Sequence, residues 1–261
     1  MKNFYVVGNN TSKSLSPTIF NYWFKKYKIK ERYNYLQLNN NNFDLKITNL
    51  LRNKKTHGLN ITVPFKQKIM KHINLIDKDS VKINAVNCVI TRPKTKGINT
   101  DWTGYYKTLP KTKNLKSKKT LIIGYGGAAL AIHYVLNKKG FKNIIVFNRT
   151  KKKLSFVKKT KYTKSINQLK LHLGSADIII NTTPKNLIKK QHKKLIKEKT
   201  ILSDIVYSPK ETPFLRNFPA NKKIYGISML LQQAVPCFKA WFGFRPTIDQ
   251  ELIQILNRKI K

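Results

Sequence analysis

The stretch L-I-I-G-Y-G-G-A-A at 121–129 constrains this chain more than any other. Residues 120–123 have strand character and run straight into a glycine turn. A helical pattern follows over 128–139, then a second strand at 143–147. A strand, tight turn, helix and returning strand within about thirty residues form the βαβ unit of a doubly wound parallel sheet. Gly124 permits the turn. Gly126 lets the backbone approach a pyrophosphate seated where the turn ends at Gly127 and the helix begins at Ala128. Ala129 takes the third position of G-x-G-x-x-A, where helix and sheet pack closely. The motif therefore predicts a Rossmann-type dinucleotide site.

The end of the second strand selects the dinucleotide. An NAD site usually carries Asp or Glu there, about twenty residues past the glycines, to hold the ribose hydroxyls. This chain has Asn148, Arg149, Thr150, Lys151, Lys152 and Lys153, without a carboxylate. Arg149 can stack on adenine and pair with a 2′-phosphate, and Thr150 with Lys153 adds donors beside Asn148. NADP is the expected cofactor.

On either side of this unit the pattern is also α/β. Strands are predicted at 4–7, 33–38, 58–63 and 86–90, and helices at 17–27, 43–53 and 65–72. The first helix shows a stripe of Ile19, Phe20, Trp23, Phe24 and Tyr27. After the βαβ unit come strands at 176–181 and 200–204 with a helical stretch at 185–197 between them, and two helices at 229–241 and 249–259. The expected organisation is two α/β domains. Residues 1–102 with 226–261 form a substrate domain completed by C-terminal helices, and 103–225 form the dinucleotide-binding domain.

The formal charge of +42 invites a nucleic-acid reading. However, only 7 of the 53 basic residues are Arg, and the lysines are spread among many Asn and Ile residues. Those three residue types share AT-rich codons, so compositional drift accounts for the excess, and no specific nucleic-acid partner is expected. No apolar run approaches the roughly 18 residues that span a bilayer. The N-terminus reads as a strand entering a glycine turn, so a cytoplasmic protein without a membrane partner is expected. Cys88 and Cys237 sit in apolar surroundings and are expected as reduced core thiols. His57, His72, His133, His172 and His192 lack ligand spacing and are expected on helices or at the surface, with no metal.

Polar residues recur at predicted strand ends, where ligands of open α/β sheets bind. Asn60 and Thr62 lie in a buried strand with Lys66 just beyond it. Asn87 interrupts an apolar strand, Asp101 follows another, and Ser14 and Ser16 precede a helix. These segments resemble the shikimate dehydrogenase family. The similar motifs are G-N-N-T-S-K-S-L-S-P at 8–17, G-L-N-I-T-V-P-F-K at 58–66, A-V-N-C at 85–88 and G-I-N-T-D at 97–101. G-Y-G-G-A at 124–128, N-R-T at 148–150, D-I-V-Y-S-P-K-E-T-P-F-L at 204–215 and G-I-S-M-L-L-Q-Q-A at 226–234 follow in the family's order. The resemblance runs from about residue 5 to about residue 245.

The resemblance implies reversible NADP-dependent reduction of 3-dehydroshikimate to shikimate, a step of aromatic amino acid biosynthesis. It implies Lys66 as the acid/base group with Asp101 as its orienting partner, moving a proton in concert with hydride transfer. It also implies that Ser14, Ser16, Asn60, Thr62, Asn87, Tyr207 and Gln233 hold the substrate. Gly226 and Met229 would lie along the nicotinamide, and Thr182 and Ile205 near the cofactor ribose and ring. The small-molecule substrate is the expected partner of a monomer or homodimer. Lys13, Trp102, Ser228 and the N-T-T-P-K-N segment at 181–186 depart from the family's pattern without removing a residue of proposed chemical role. Two other readings stand beside this one: a quinate/shikimate dehydrogenase of the same superfamily, and a catalytically retired dehydrogenase fold acting as a basic binding protein.

Overall fold

The computed structural model describes residues 1–156 and 160–260. The chain divides into two compact units, Met1–Asp101 with Leu231–Arg258, and Trp102–Leu230 with the residues from Lys259 on.

In the first unit β1 (Asn3–Gly8), α1 (Ser16–Lys26), β2 (Arg32–Gln37), α2 (Phe43–Arg52) and β3 (Thr56–Ile61) alternate. β4 (Leu75–Ile76), α3 (Lys78–Ile83), β5 (Cys88–Ile90) and β6 (Lys96–Ile98) follow. The six strands form one mixed sheet in the order β2-β1-β3-β5-β6-β4. β1 is parallel to both β2 and β3, whereas β5 is antiparallel to β3 and β6. Asp101 opens α4 (Asp101–Thr108), which leads into the second unit.

The second unit contains β7 (Thr120–Ile123), α5 (Gly127–Lys138), β8 (Ile144–Asn148), β9 (Lys164–Ser165) and α6 (Lys170–Leu173). β10 (Ile178–Asn181), β11 (Ile201–Asp204), α7 (Pro213–Arg216) and β12 (Lys223–Ile224) complete it. Its sheet is parallel throughout, in the order β12-β11-β10-β7-β8-β9. This is the doubly wound order, and it reverses between β7 and β10, the point at which such sheets bind ligands. α8 (Gly226–Phe242) starts in this unit and ends in the first, followed by α9 (Gln250–Lys259).

Aromatic packing closes the first unit. Ile19, Phe20, Trp23 and Phe24 are all buried along α1, as their 3.6-residue spacing predicts. Their partners arrive from far along the chain: Phe20 lies 5.1 Å from Trp241, Trp23 5.5 Å from Phe238, and Phe24 5.4 Å from Phe242, between ring centroids. Gly58 in β3 makes this approach possible, because a Cβ there would meet the Trp241 ring at 2.5 Å. The second unit buries Leu121, Ile123, Phe147, Ile179 and Leu202 from adjacent parallel strands in one core. Strands covered on both faces are mostly apolar, and β7, β10 and β11 are fully buried, with polar residues only at their ends or near the site.

Three local expectations are corrected. The helix predicted over 65–72 is a turn followed by a short 3₁₀ segment, Lys68–His72. The one predicted over 185–197 keeps only the 3₁₀ segment Lys190–Leu195, with Ile188 and Ile196 buried in the core on either side of it. Asp101 begins a helix rather than ending a strand. Among the described residues no helix is long and apolar enough to cross a membrane, and no group of three or more His, Cys, Asp or Glu could hold a metal ion.

Among the histidines, His57 lies in β3 and His133, in α5, is only 1% exposed. Burial pushes its imidazole down to about 4 from an ordinary 6.5. A depressed folded-state value means that the unfolded chain takes up a proton first as pH falls. This contribution is complete above pH 6.5 and is lost towards pH 4, by about 3 kcal/mol in all. In urea titrations at pH 7 and pH 4.5, His133→Asn should lose less stability on acidification than the parent chain.

Candidate active site

Lys66 and Asp101 meet in the first unit, Nζ to Oδ2 at 2.6 Å, with side chains 12% and 6% exposed. Each is fixed by its neighbours in sequence. The adjoining Phe65 is fully buried and stacks on Phe43 at 4.2 Å between centroids, and its N–H donates to the Thr62 carbonyl. The Lys66 carbonyl accepts the Val86 N–H at 2.8 Å, which ties the residue to the segment entering β5. The Asp101 N–H donates to Asn99 Oδ1 at 3.0 Å.

Asn87 organises the rest. Its Nδ2 donates to the free oxygen of Asp101, Oδ1, at 2.8 Å and approaches Gln233 Oε1 at 3.2 Å. Its Oδ1 accepts the Thr100 N–H at 2.7 Å. Its backbone carbonyl accepts from the Ile61 N–H at 2.8 Å and from Asn60 Nδ2 at 3.2 Å. Asn60 Oδ1 in turn accepts from the Tyr33 hydroxyl at 2.7 Å. Thus Lys66, Asp101, Asn87, Gln233 and Asn60, five of the residues singled out in the sequence, are joined in one buried hydrogen-bonded group.

Three members of the group were not singled out. Thr100 approaches Gln233 Oε1 at 3.2 Å, Tyr33 anchors Asn60, and Cys237 Sγ lies 3.1 Å from Asn60 Nδ2 and 3.2 Å from Thr100 Oγ1. Cys237 stands one helical turn after Gln233 on α8, an i, i+4 spacing that offered the only sequence signal. Cys88 and Cys237 are both free thiols, and burial, then the neighbouring Cys237, pushes the Cys88 thiol up.

Thr62 lies just past β3, its N–H bonded to the Val7 carbonyl and its methyl crowding Gly8. Ser14 and Ser16 form a local turn, with Ser14 Oγ accepting the Ser16 N–H at 3.2 Å at the start of α1.

In the second unit the glycine turn lies at the end of β7, beside β10. Gly124 has φ +99°, and a Cβ there would meet Thr182 Oγ1 at 2.5 Å, so both backbone and space require glycine. Thr182 Oγ1 donates to the Ile123 carbonyl at 2.7 Å. Gly126 is exposed, and a Cβ there would meet nothing within 4 Å. No side chain caps the twelve-residue helix α5, which starts at Gly127, so its first N–H groups are available to an anion. Ala128 is half-buried and Ala129 is buried.

At the end of β8, Asn148 Nδ2 donates to the Thr150 carbonyl at 3.0 Å, while Arg149, Thr150 and Lys153 are exposed. An open backbone approach, an uncapped helix start and a basic strand end fit a phosphorylated dinucleotide. Ile205 and Tyr207 closely follow Asp204 along the chain, a residue assigned no role from the sequence alone. Its carboxylate accepts from Asn181 Nδ2 at 3.1 Å, the Val206 N–H at 3.0 Å and Thr212 Oγ1 at 2.6 Å. Burial pushes the Asp204 carboxyl up, against these hydrogen bonds. A Cβ at Gly226 would meet the Ile205 and Val206 carbonyls at 2.5 Å. Met229 is buried one turn into α8, and Tyr207 is half-buried.

Residues 6–89 match the family described as the shikimate dehydrogenase substrate binding domain, and residues 107–210 match shikimate / quinate 5-dehydrogenase. The chain is 37% identical to a shikimate dehydrogenase (NADP(+)) of Pelagibacter ubique, an alignment covering 98% of this chain and 99% of that protein. The crystal structure of shikimate dehydrogenase 1 from Peptoclostridium difficile is similar with a TM-score of 0.85 and 28% identity, covering 100% of this chain and 98% of the other. A shikimate dehydrogenase solved in complex with NADP+ is similar with a TM-score of 0.83 and 29% identity, covering 100% and 94%.

Replacing Asn87 by Leu keeps the branched shape but strands Asp101 Oδ1 and the Thr100 N–H in the interior. Two unsatisfied buried groups should cost about 2–4 kcal/mol, read as a lowered urea midpoint at unchanged slope.

Proposed function

The chain belongs to the shikimate dehydrogenase family, and from that premise we infer that it catalyses the reversible NADP-dependent reduction of 3-dehydroshikimate to shikimate. The observation that carries the chemistry is the largely buried Lys66–Asp101 pair at 2.6 Å, with side chains 12% and 6% exposed. NADP, held by the Gly124–Ala128 turn and the basic end of β8, would supply the hydride acceptor for the alcohol carbon and, in its reduced form, the hydride donor for the ketone.

Converting a secondary alcohol to a ketone also removes the hydroxyl proton. Lys66 Nζ is the group that takes it, and in the other direction it protonates the carbonyl oxygen as that oxygen gains charge. Asp101 orients Lys66. With Oδ1 held by Asn87 and Oδ2 on Nζ, its carboxylate fixes where the nitrogen sits. Ser14 and Ser16 are assigned to the substrate carboxylate, and Asn60, Thr62, Asn87, Tyr207 and Gln233 to its ring oxygens. The hydrogen bonds joining Asn60, Asn87 and Gln233 support their part of that assignment by fixing the direction of each amide.

Gly124, Gly126, Gly127 and Ala128 are assigned to the pyrophosphate, and Asn148, Arg149, Thr150 and Lys153 to the adenosine 2′-phosphate. Thr182, Ile205, Gly226 and Met229 are assigned to the nicotinamide half. The substrate domain is taken as 1–102 with 226–261, of which Lys261 lies outside the described residues, and the cofactor domain as 103–225. We place the enzyme in the cytoplasm, a compartment that suits its two free thiols. It is taken to act as a monomer or homodimer without a specific nucleic-acid partner.

Following NADPH formation from shikimate and NADP tests this reading. Lys66→Met should lower kcat by about 10²–10⁴ while leaving NADP binding intact. An unchanged kcat would remove Lys66 from the proton transfer, and no turnover by the folded parent chain would end the enzyme reading. Arg149→Ala should raise the KM for NADP about tenfold and leave that for NAD nearly unchanged, because only NADP carries the 2′-phosphate.

A further inference from the structure

We propose that Tyr125, the middle residue of G-Y-G, is a positioning residue that ties the pyrophosphate turn to the basic segment after β8 and thereby favours NADP over NAD. The proposal rests on the NADP reading of this unit.

A side chain between Gly124 and Gly126 could be expected to face outward, yet Tyr125 is only 5% exposed. Its phenol oxygen accepts the Ser155 N–H at 3.0 Å and lies 3.2 Å from His133 Nδ1. A backbone N–H can only donate, so the phenol oxygen accepts from Ser155, and its own proton is assigned here to Nδ1. That requires an imidazole with Nδ1 unprotonated, the neutral form that burial of His133 favours.

The segment is anchored beyond Ser155 as well. The Phe156 ring lies 5.7 Å from His133 and 5.2 Å from Tyr134, both on α5, with its backbone held at φ +68°. On its other side the segment pairs with 161–163. The Leu154 N–H donates to the Lys161 carbonyl, the Thr163 N–H to the Lys152 carbonyl, and the Lys152 N–H to Thr163 Oγ1. Residues 149–153 therefore run from the end of β8 at Asn148 to a point fastened by both this pairing and the Tyr125 tie.

The two phosphate-bearing ends of the adenosine half of NADP are a fixed covalent distance apart. A site made from two chain segments binds them best when those segments are held in register beforehand. Tyr125 belongs to one segment by covalent bond and to the other by hydrogen bond. NAD has no 2′-phosphate to reach the second segment, so loosening the tie should leave its binding almost untouched.

Titration calorimetry with NADP, NAD and adenosine 2′,5′-bisphosphate, run alongside amide exchange in the free protein, tests this. Tyr125→Phe should weaken NADP and the bisphosphate about fivefold, NAD less than twofold, and speed exchange at the Ser155 amide. His133→Leu, which removes the acceptor, should move in the same direction. His133→Asn, which keeps one, should stay near the parent, and this pair decides the matter if Tyr125→Phe does not fold. Equal losses for NADP and NAD, or unchanged NADP affinity despite faster Ser155 exchange, would overturn the proposal. A parent protein that binds neither dinucleotide would instead overturn the NADP reading beneath it.

Discussion

Removing an ammonium and a carboxylate from water costs several kcal/mol per ion, and their attraction offsets this only if the remaining hydrogen-bonding positions are filled. Lys66 and Asp101 are in that situation, and the first unit is arranged to meet it. The second carboxylate oxygen needs a donor, which is Asn87. Asn87 needs its own oxygen satisfied, and the Thr100 N–H does so. Its backbone carbonyl takes the Asn60 amide, and Asn60 takes the Tyr33 hydroxyl. One buried charge pair thus sets the orientation of side chains on β2, β3, α4 and the entry to β5. Such a network adds little net stability, but it leaves each polar group one arrangement, which a proton-transfer site requires.

The carboxylates of this chain carry a disproportionate electrostatic role. Only 11 acidic residues face 53 basic ones. Asp44 is contacted by His72 at 2.8 Å, Lys71 at 3.0 Å and Lys68 at 3.1 Å, which together hold its carboxyl well below the usual range. Asp249 pairs with Lys26 and accepts from Tyr22, and Glu211 pairs with Lys223. These pairs are largely solvent-facing, so each contributes little alone. Their placement nonetheless reduces repulsion locally in a chain whose net charge opposes compaction.

Much of this architecture was legible because it is local. The α1 stripe, the βαβ unit and the glycine turn each declare themselves within a few residues, through periodicity or a required backbone conformation. The elements that escaped reading are those settled by distant partners. Cys237 meets Asn60 across 177 residues, and Gly58 is required by Trp241. Tyr125 owes its place to the Ser155 N–H, thirty residues later, which no local pattern around the glycines announces. The predicted helix at 185–197 shrinks to Lys190–Leu195, while Ile188 and Ile196 at its two ends dock in the core of the second unit. Among the site residues, the motifs picked out Lys66, Asp101 and Asn87, while Thr100 and Tyr33 are ordinary in sequence and become special only through what they touch.

The interrupted connectivity of the first unit also sets an order of assembly. Its sheet and α1 are made by residue 101, but the rings that cover α1, namely Phe238, Trp241 and Phe242, emerge only after the whole second unit. During synthesis the parallel-sheet unit can be complete while Phe20, Trp23 and Phe24 still lack these partners. The nascent first unit must carry that half-covered aromatic face through more than a hundred further residues of translation, a state in which exposed apolar surface favours aggregation.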